Sequence, residues 1–153
     1  MIKKLPSQIV SLVNSGITSF SLPGLREFLE FMSKENATFG SVNLHNKSNP
    51  NNLHLDINSL GSYKTQWLKE YRSLVEEYKD RLMTYNYDNL ISAAVILESQ
   101  QALDLNSDDI FLLKDSLIYT HKIDKIRNNI FVSDVIKDYP FMQEWWEKVN
   151  STL

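Results

Sequence analysis

Residues 62–103 read SYKTQWLKEYRSLVEEYKDRLMTYNYDNLISAAVILESQQAL, and their periodicity decides the fold class. Leu68, Tyr71, Val75, Tyr78, Leu82 and Tyr85 succeed one another at spacings of 3, 4, 3, 4 and 3. That rhythm keeps side chains on one side of a helix with 3.6 residues per turn. Trp67 and Leu74 widen the stripe. Glu70, Glu76, Glu77, Lys79 and Asp80 fall on the other side, and Glu77 stands four residues ahead of Arg81, the order that supports a helix. The expectation is a helix over residues 63–85. Asn86-Tyr87-Asp88 then supplies a turn and a cap for a second helix over residues 89–103. Its LISAAVIL segment is apolar nearly all round, which predicts a place at the centre of the fold. Two helices with so short a connection pack antiparallel. The fold class is therefore mainly α, a single-domain irregular helical bundle with a central antiparallel helical hairpin.

Working toward the C-terminus, Ser107 followed by Asp108 and Asp109 is a helix start, a hydroxyl cap with two carboxylates at the positive end of the dipole. Ile110, Leu113, Leu117, Ile123 and Ile126 continue that helix. Ser133 and Pro140 punctuate the stretch beyond it, and a short last helix carries Phe141, Trp145, Trp146 and Val149. Working toward the N-terminus, Pro6 with Ile9, Leu12 and Val13 suits a short helix closed near Gly16. Ser21 caps another, with Pro23 in its first turn and Leu25, Phe28, Leu29, Phe31 and Met32 on its apolar side, and Ile17 to Phe20 between them reads as extended. Residues 41–62 form an Asn/Ser-rich loop excursion. Within it Leu53 to Ile57 alternates apolar and polar, and with Phe39, Val42 and Leu44 it suggests a small β-hairpin near residues 38–57.

With 153 residues and 42% of them apolar, the chain can bury the core of one domain. No internal repeat or linker divides residues 1–153. Two lysines near the start resemble a secretory signal, but Pro6, Ser7, Gln8 and Ser11 interrupt the apolar run that a signal requires. The longest apolar run, Ala93 to Leu97, is far short of a membrane span, so a soluble cytoplasmic protein with no membrane partner is the expectation. Phe, Tyr, Met, Ile, Asn and Lys number 56 against 16 for Gly, Ala, Arg and Pro. That bias indicates an AT-rich genome, such as a low-GC bacterium or a phage. The sequons at Asn36, Asn46 and Asn150 are about what 14 asparagines and 23 serines and threonines produce by chance.

Several chemistries are excluded by composition. Zero cysteines remove disulfides, thiolate zinc and a cysteine nucleophile together. The four glycines, Gly16, Gly24, Gly40 and Gly61, lie too far apart for a dinucleotide or Walker-type phosphate cradle. Asp104, Asn106, Asp108 and Asp115 fall at calcium-loop positions 1, 3, 5 and 12. However, Asp109 occupies the sixth position, where the sharp turn needs glycine, so no calcium is expected. His45, His54 and His121 are the only imidazoles. His54 and Asp56 with Ser59 or Ser62 can be drawn as a triad, yet no nucleophile elbow accompanies them.

The net charge of −3 divides unevenly, with +2 on residues 1–87 and −5 on residues 88–153. No global basic field exists to dominate nucleic-acid binding. His121, Lys122, Lys125 and Arg127 make a small basic island, which near a helix end also answers the dipole. Aromatic residues are the remaining signal, because Tyr and Trp are enriched at protein interfaces. On the last helix Phe141, Trp145 and Val149 share one face, while Met142 and Trp146 share another about 100° away. Covering both stripes on a terminal helix is hard, so Trp146 is expected to stay partly exposed or to meet another chain.

The functional expectation is a non-enzymatic protein-binding adaptor, assembly factor or inhibitor with Phe141, Met142, Trp145 and Trp146 as its binding residues. It would have no catalytic residues, metal or cofactor, and its partner would be another protein or a second copy. A helical nucleic-acid-binding accessory protein using the basic island is the alternative. A small hydrolase with an unrecognised His or carboxylate site is the third reading.

Overall fold

Parallel strands need a long crossover between them, and a fourteen-residue helix is sufficient to provide one. The first part of the chain is built this way: β1 (Leu12–Ile17), α1 (Leu22–Glu35) and β2 (Thr38–Leu44) form a βαβ unit whose two strands pair in parallel, Leu12 opposite Thr38 and Ile17 opposite Leu44. The register shifts by one between Val13 and Asn14. These features come from a computed structural model that describes residues 12–35, 37–44, 55–126 and 131–152.

Two expectations for this region are corrected. Residues 12–16, read as the end of a short helix, are strand; residues 1–11 lie outside the described residues. Ser15-Gly16 is weak helix-forming sequence, and a partner strand 26 residues ahead supplies backbone hydrogen bonds that local helix would have had to provide. The β-hairpin near residues 38–57 is not the pairing found. Thr38–Leu44 is a strand, but its partner is β1, and residues 45–54 lie outside the described residues. Ile57 does not extend a strand. It opens a 3-10 segment, Ile57–Tyr63, whose cap is Asp56 accepting from the Asn58 N–H at 2.9 Å. Gly61 breaks this segment at φ +56, and a Cβ there would stand 2.5 Å from Leu105 Cγ and 2.9 Å from the Leu103 carbonyl oxygen, so no other residue fits without displacing the 103–105 loop.

The central pair is α2 (Lys64–Glu77) and α3 (Thr84–Ser99). Its antiparallel sense is set by its cross-links: the Tyr71 hydroxyl donates to the Leu90 carbonyl at 3.1 Å, Tyr87 donates to Glu76, and Lys64 donates to the Gln100 carbonyl. The boundary between them lies earlier than expected. α2 stops at Glu77, a 3-10 turn covers Lys79–Arg81, and α3 starts at Thr84, so Asn86-Tyr87-Asp88 is helix rather than turn. The cause is tertiary. Asn86 is buried, and its side-chain amide donates at 2.7 Å to the Ala37 carbonyl just before β2. The apolar stripe nevertheless stays inside as far as Leu82, and Tyr85 alone of the six is exposed. α3 is likewise not central all round: Leu90, Ala93, Ala94 and Leu97 are buried while Val95 and Ile96 face out.

The chain continues through a 3-10 segment, Asp108–Leu113, into α4 (Lys114–Ile126), then α5 (Val132–Val135) and α6 (Pro140–Asn150). One core runs through all of this. Trp67, Tyr71 and Trp145 are fully buried at its centre, with Leu22, Leu29 and Met32 from α1 and Leu113 and Leu117 from the α4 region. Each buried indole finds an acceptor, Trp67 in the Ser19 carbonyl and Trp145 in the Ser59 carbonyl, both at 2.9 Å. Burial also pushes the Tyr71 phenol well above its ordinary range. Among the described residues no helix is long and apolar enough to cross a membrane.

A charged strap ties α1 to the end of α2. Arg26 grips Glu77 at 2.6 and 2.9 Å, and Glu30 accepts from Arg81 at 2.7 Å and from the Tyr78 hydroxyl at 3.1 Å. The Arg81 hydrogen bond, with help from Lys34 and Tyr78, holds the Glu30 carboxyl down to about 2, and Glu76 and Glu77 are lowered by their own donors. A carboxyl lowered on folding stabilises above its unfolded pKa and loses that contribution as pH falls through the folded value. The melting temperature is therefore expected to drop between about pH 5 and pH 2, with the Glu30→Gln variant showing a shallower drop. Identical slopes in the two proteins would mean that Glu30 does not engage Arg81.

Candidate interaction surface

The sequence points first to α6, and the structure places three of its four marked residues, Met142, Trp145 and Trp146, in the core, with Phe141 half-buried beside them. Proline at its first position starts the helix, and Met142, Trp145 and Val149 are fully buried. The expectation that Trp146 stays partly exposed is not met, since it is only 8% exposed. Phe20, from the loop between β1 and α1, is wedged against both indoles with ring centroids at 5.7 and 6.1 Å, and His121 of α4 lies 6.0 Å from Trp146 on another side. A loop and a second helix thus cover the stripe that α6 could not cover alone. Phe141 is half-buried, edge-on to Tyr139 at 6.1 Å, in a cleft of about 420 Å³ shared with Gln66, Glu70, Asp138 and Glu144.

Other marked residues have local roles. Asp104 Oδ1 accepts from the Asn106 N–H, and the Ser107 hydroxyl caps Asp109. The Lys148 ammonium donates to Asn106 Oδ1 at 2.6 Å, placing a positive charge on the loop that resembled a calcium site. His121 Nε2 pairs with Asn150 Oδ1 at 2.9 Å, which braces α4 against α6. Lys122 and Lys125 are exposed on the last turns of α4; Arg127, His45 and His54 lie outside the described residues.

A polar cluster that the sequence did not announce lies beneath a cleft of about 510 Å³ between α2 and the end of α3. The buried Lys64 ammonium donates to Asn58 Oδ1 at 2.8 Å and to the Gln100 carbonyl at 2.5 Å. Asn58 in turn donates to Asp56 Oδ1 at 2.9 Å and to Gln100 Oε1 at 2.8 Å. Over the cleft Arg72 is bidentate to Glu98 at 3.1 and 2.7 Å. Apart from Asp56 Oδ2, which has no donor among the described residues, these groups satisfy one another, and the cluster acts as a clamp joining the 3-10 segment, α2 and the α3 exit. Its only sequence signal is the Asn, Ser and Gly content of Asp56 to Ser62, which is the composition of a loop.

The exposed face of the α4 region has a different character. Ile110, Leu113 and Leu117 turn inward, as their spacing predicts. On the opposite side Phe111, Leu112, Ile118 and Tyr119 remain 57%, 56%, 37% and 45% exposed. Phe111 and Leu112 lie in the 3-10 segment that leads into α4, and Ile118 and Tyr119 in the first half of α4, so the exposed row runs from that segment onto the helix. Sequence reasoning stopped at the inward stripe and missed this second one. The signal was present: IFLLKDSLIYT is too apolar for a helix with one buried side. Asp115 and Lys122 share the outward face; Asp108 and Asp109 lie at its start and Lys125 at its end. None of these charges is in an ion pair among the described residues. Comparison of the chain with protein-family models, with curated proteins and with solved structures finds no match in any of the three.

Proposed function

We propose that this chain is a non-enzymatic protein-binding domain, of the adaptor, assembly-factor or inhibitor kind, that engages its partner through the outward face of α4. The observation that carries this reading is the row Phe111, Leu112, Ile118 and Tyr119, four large apolar side chains left in solvent on α4 and on the 3-10 segment that leads into it. Large apolar side chains grouped on one exposed face, with charges around them, are the composition of a recognition patch. In this reading α6 serves the site indirectly. Trp145 and Met142 anchor it in the core, while Trp146 and Asn150 hold His121 and so the last turns of α4. Phe141 stands at a separate half-open edge.

The test is affinity purification of the tagged chain from its native cell beside a Leu112→Asp variant, with proteins identified by mass spectrometry. Leu112 is exposed, so its substitution should leave the melting temperature nearly unchanged. Specific proteins retained by the wild type and lost with the variant are the expected result. An identical set in both samples would remove α4 as the binding face.

A further inference from the structure

The outward face of α4 is charged in a polarised way. Its start carries Asp108, Asp109 and Asp115, with Lys114 the one basic residue among them, and its end carries Lys122 and Lys125, with Asp124 the one acidic residue in that stretch of sequence. The exposed apolar residues lie between and among these charges. A strip that is acidic at one end, apolar in the middle and basic at the other is complementary to itself when turned end over end. That is the requirement of an isologous two-fold interface, in which one patch meets its own copy.

We infer that the partner of this face is a second copy of the chain, the two α4 helices packing antiparallel with the acidic end of each against the basic end of the other. The inference rests on the reading of α4 as a binding face and specifies its occupant. A two-fold axis crossing the helix midway between Ser116 and Leu117 sets Asp115 at the level of Ile118 and brings the Asp108 end of one copy toward the Lys125 end of the other. It sets Phe111 under Lys122, where the ammonium meets an aromatic face. Leu112, Ile118 and Tyr119 of the two copies close the centre. A parallel arrangement would instead stack the aspartates of one copy on those of the other and lysine on lysine, which is repulsive. The charge order therefore selects the antiparallel dimer. Stable complexes commonly bury roughly 800 Å² per partner, and four partly exposed side chains are a small apolar centre for such an interface, so the dimer forms in a concentration-dependent equilibrium.

Sedimentation velocity on the full chain, from about 1 µM to about 500 µM at low salt, tests the inference. The 17.8 kDa monomer is expected to shift toward a dimer as concentration rises, and Leu112→Asp is expected to stay monomeric across the range. Asp108→Lys and Lys125→Asp should each weaken dimerisation at least about tenfold. The double reversal, Asp108→Lys with Lys125→Asp in one chain, should restore it to within a few-fold of wild type, because the reversed charges still pair across the axis. Circular dichroism confirms that each variant is folded. A wild type that stays monomeric at the highest concentration, or a dimer indifferent to Leu112→Asp and to the charge reversals, overturns the inference. If the wild type is monomeric and Leu112→Asp still loses proteins in the affinity purification, α4 remains a binding face and only the second copy is eliminated.

Discussion

Trp145→Ala is expected to cost about 3–5 kcal/mol of folding stability, measured by chemical denaturation. The indole is fully buried and stands where three parts of the chain meet: α6, which carries it, Phe20 from the loop after β1, and Ser59 in the 3-10 segment. Truncation to a methyl group leaves a cavity that this junction cannot close without moving backbone. It also strips the Ser59 carbonyl of the indole N–H, a further penalty for a buried acceptor. Against a total stability of about 5–15 kcal/mol, the loss is large enough to release α6 and bare Trp146. Trp145→Phe keeps most of the apolar volume and should cost clearly less. A change below about 1 kcal/mol for Trp145→Ala would show that α6 is not seated in the core.

Lys64→Met is expected to destabilise by about 3–5 kcal/mol, as removal of one member of a buried charged network commonly does. The methionine fills the space but supplies neither of the hydrogen bonds that Lys64 gives to Asn58 and Gln100. The Asp56 side chain, in a residue only 1% exposed, is then left in the core without the ammonium that Asn58 links to it. Among the described residues Asp56 Oδ2 has no hydrogen-bond donor, so the network has little spare capacity to absorb the loss. Combining Lys64→Met with Asp56→Asn removes both ionisable groups and should cost less than the sum of the single changes, by more than about 1 kcal/mol. Strict additivity would mean that the two groups do not interact.

The roles of Trp145 and Lys64 both depend on partners distant in sequence. Asp56, Asn58 and Ser59 belong to a stretch with the composition of a loop, and Gln100 and Trp145, which reach Asn58 and Ser59, stand 42 and 86 residues further along. Trp145 and Trp146 were legible as a helix with two apolar stripes, but their burial depended on Phe20 and His121, which no local pattern connects to them. Helix periodicity reports the angular position of a side chain on its own axis. It does not report how many neighbours that helix has.

Legible in the residues alone, therefore, are the local structures whose stabilising bonds are local: the α1 helix, the stripe from Leu68 to Leu82 that stays inside, the cap at Ser107, the proline start of α6, and from these a mainly helical domain. Where an element ends and what it faces are settled in three dimensions. The break between α2 and α3 depends on the Asn86 bond to Ala37, the β2 strand on its distant partner β1, and Trp146 is inside because two other segments close over it. On α4 and the 3-10 segment leading into it the reverse happened, and Phe111, Leu112, Ile118 and Tyr119 stay exposed. The physical reason is common to all four cases. Propensity and periodicity act through neighbours within a few residues, whereas burial and the satisfaction of buried polar groups depend on which distant segments fold against them.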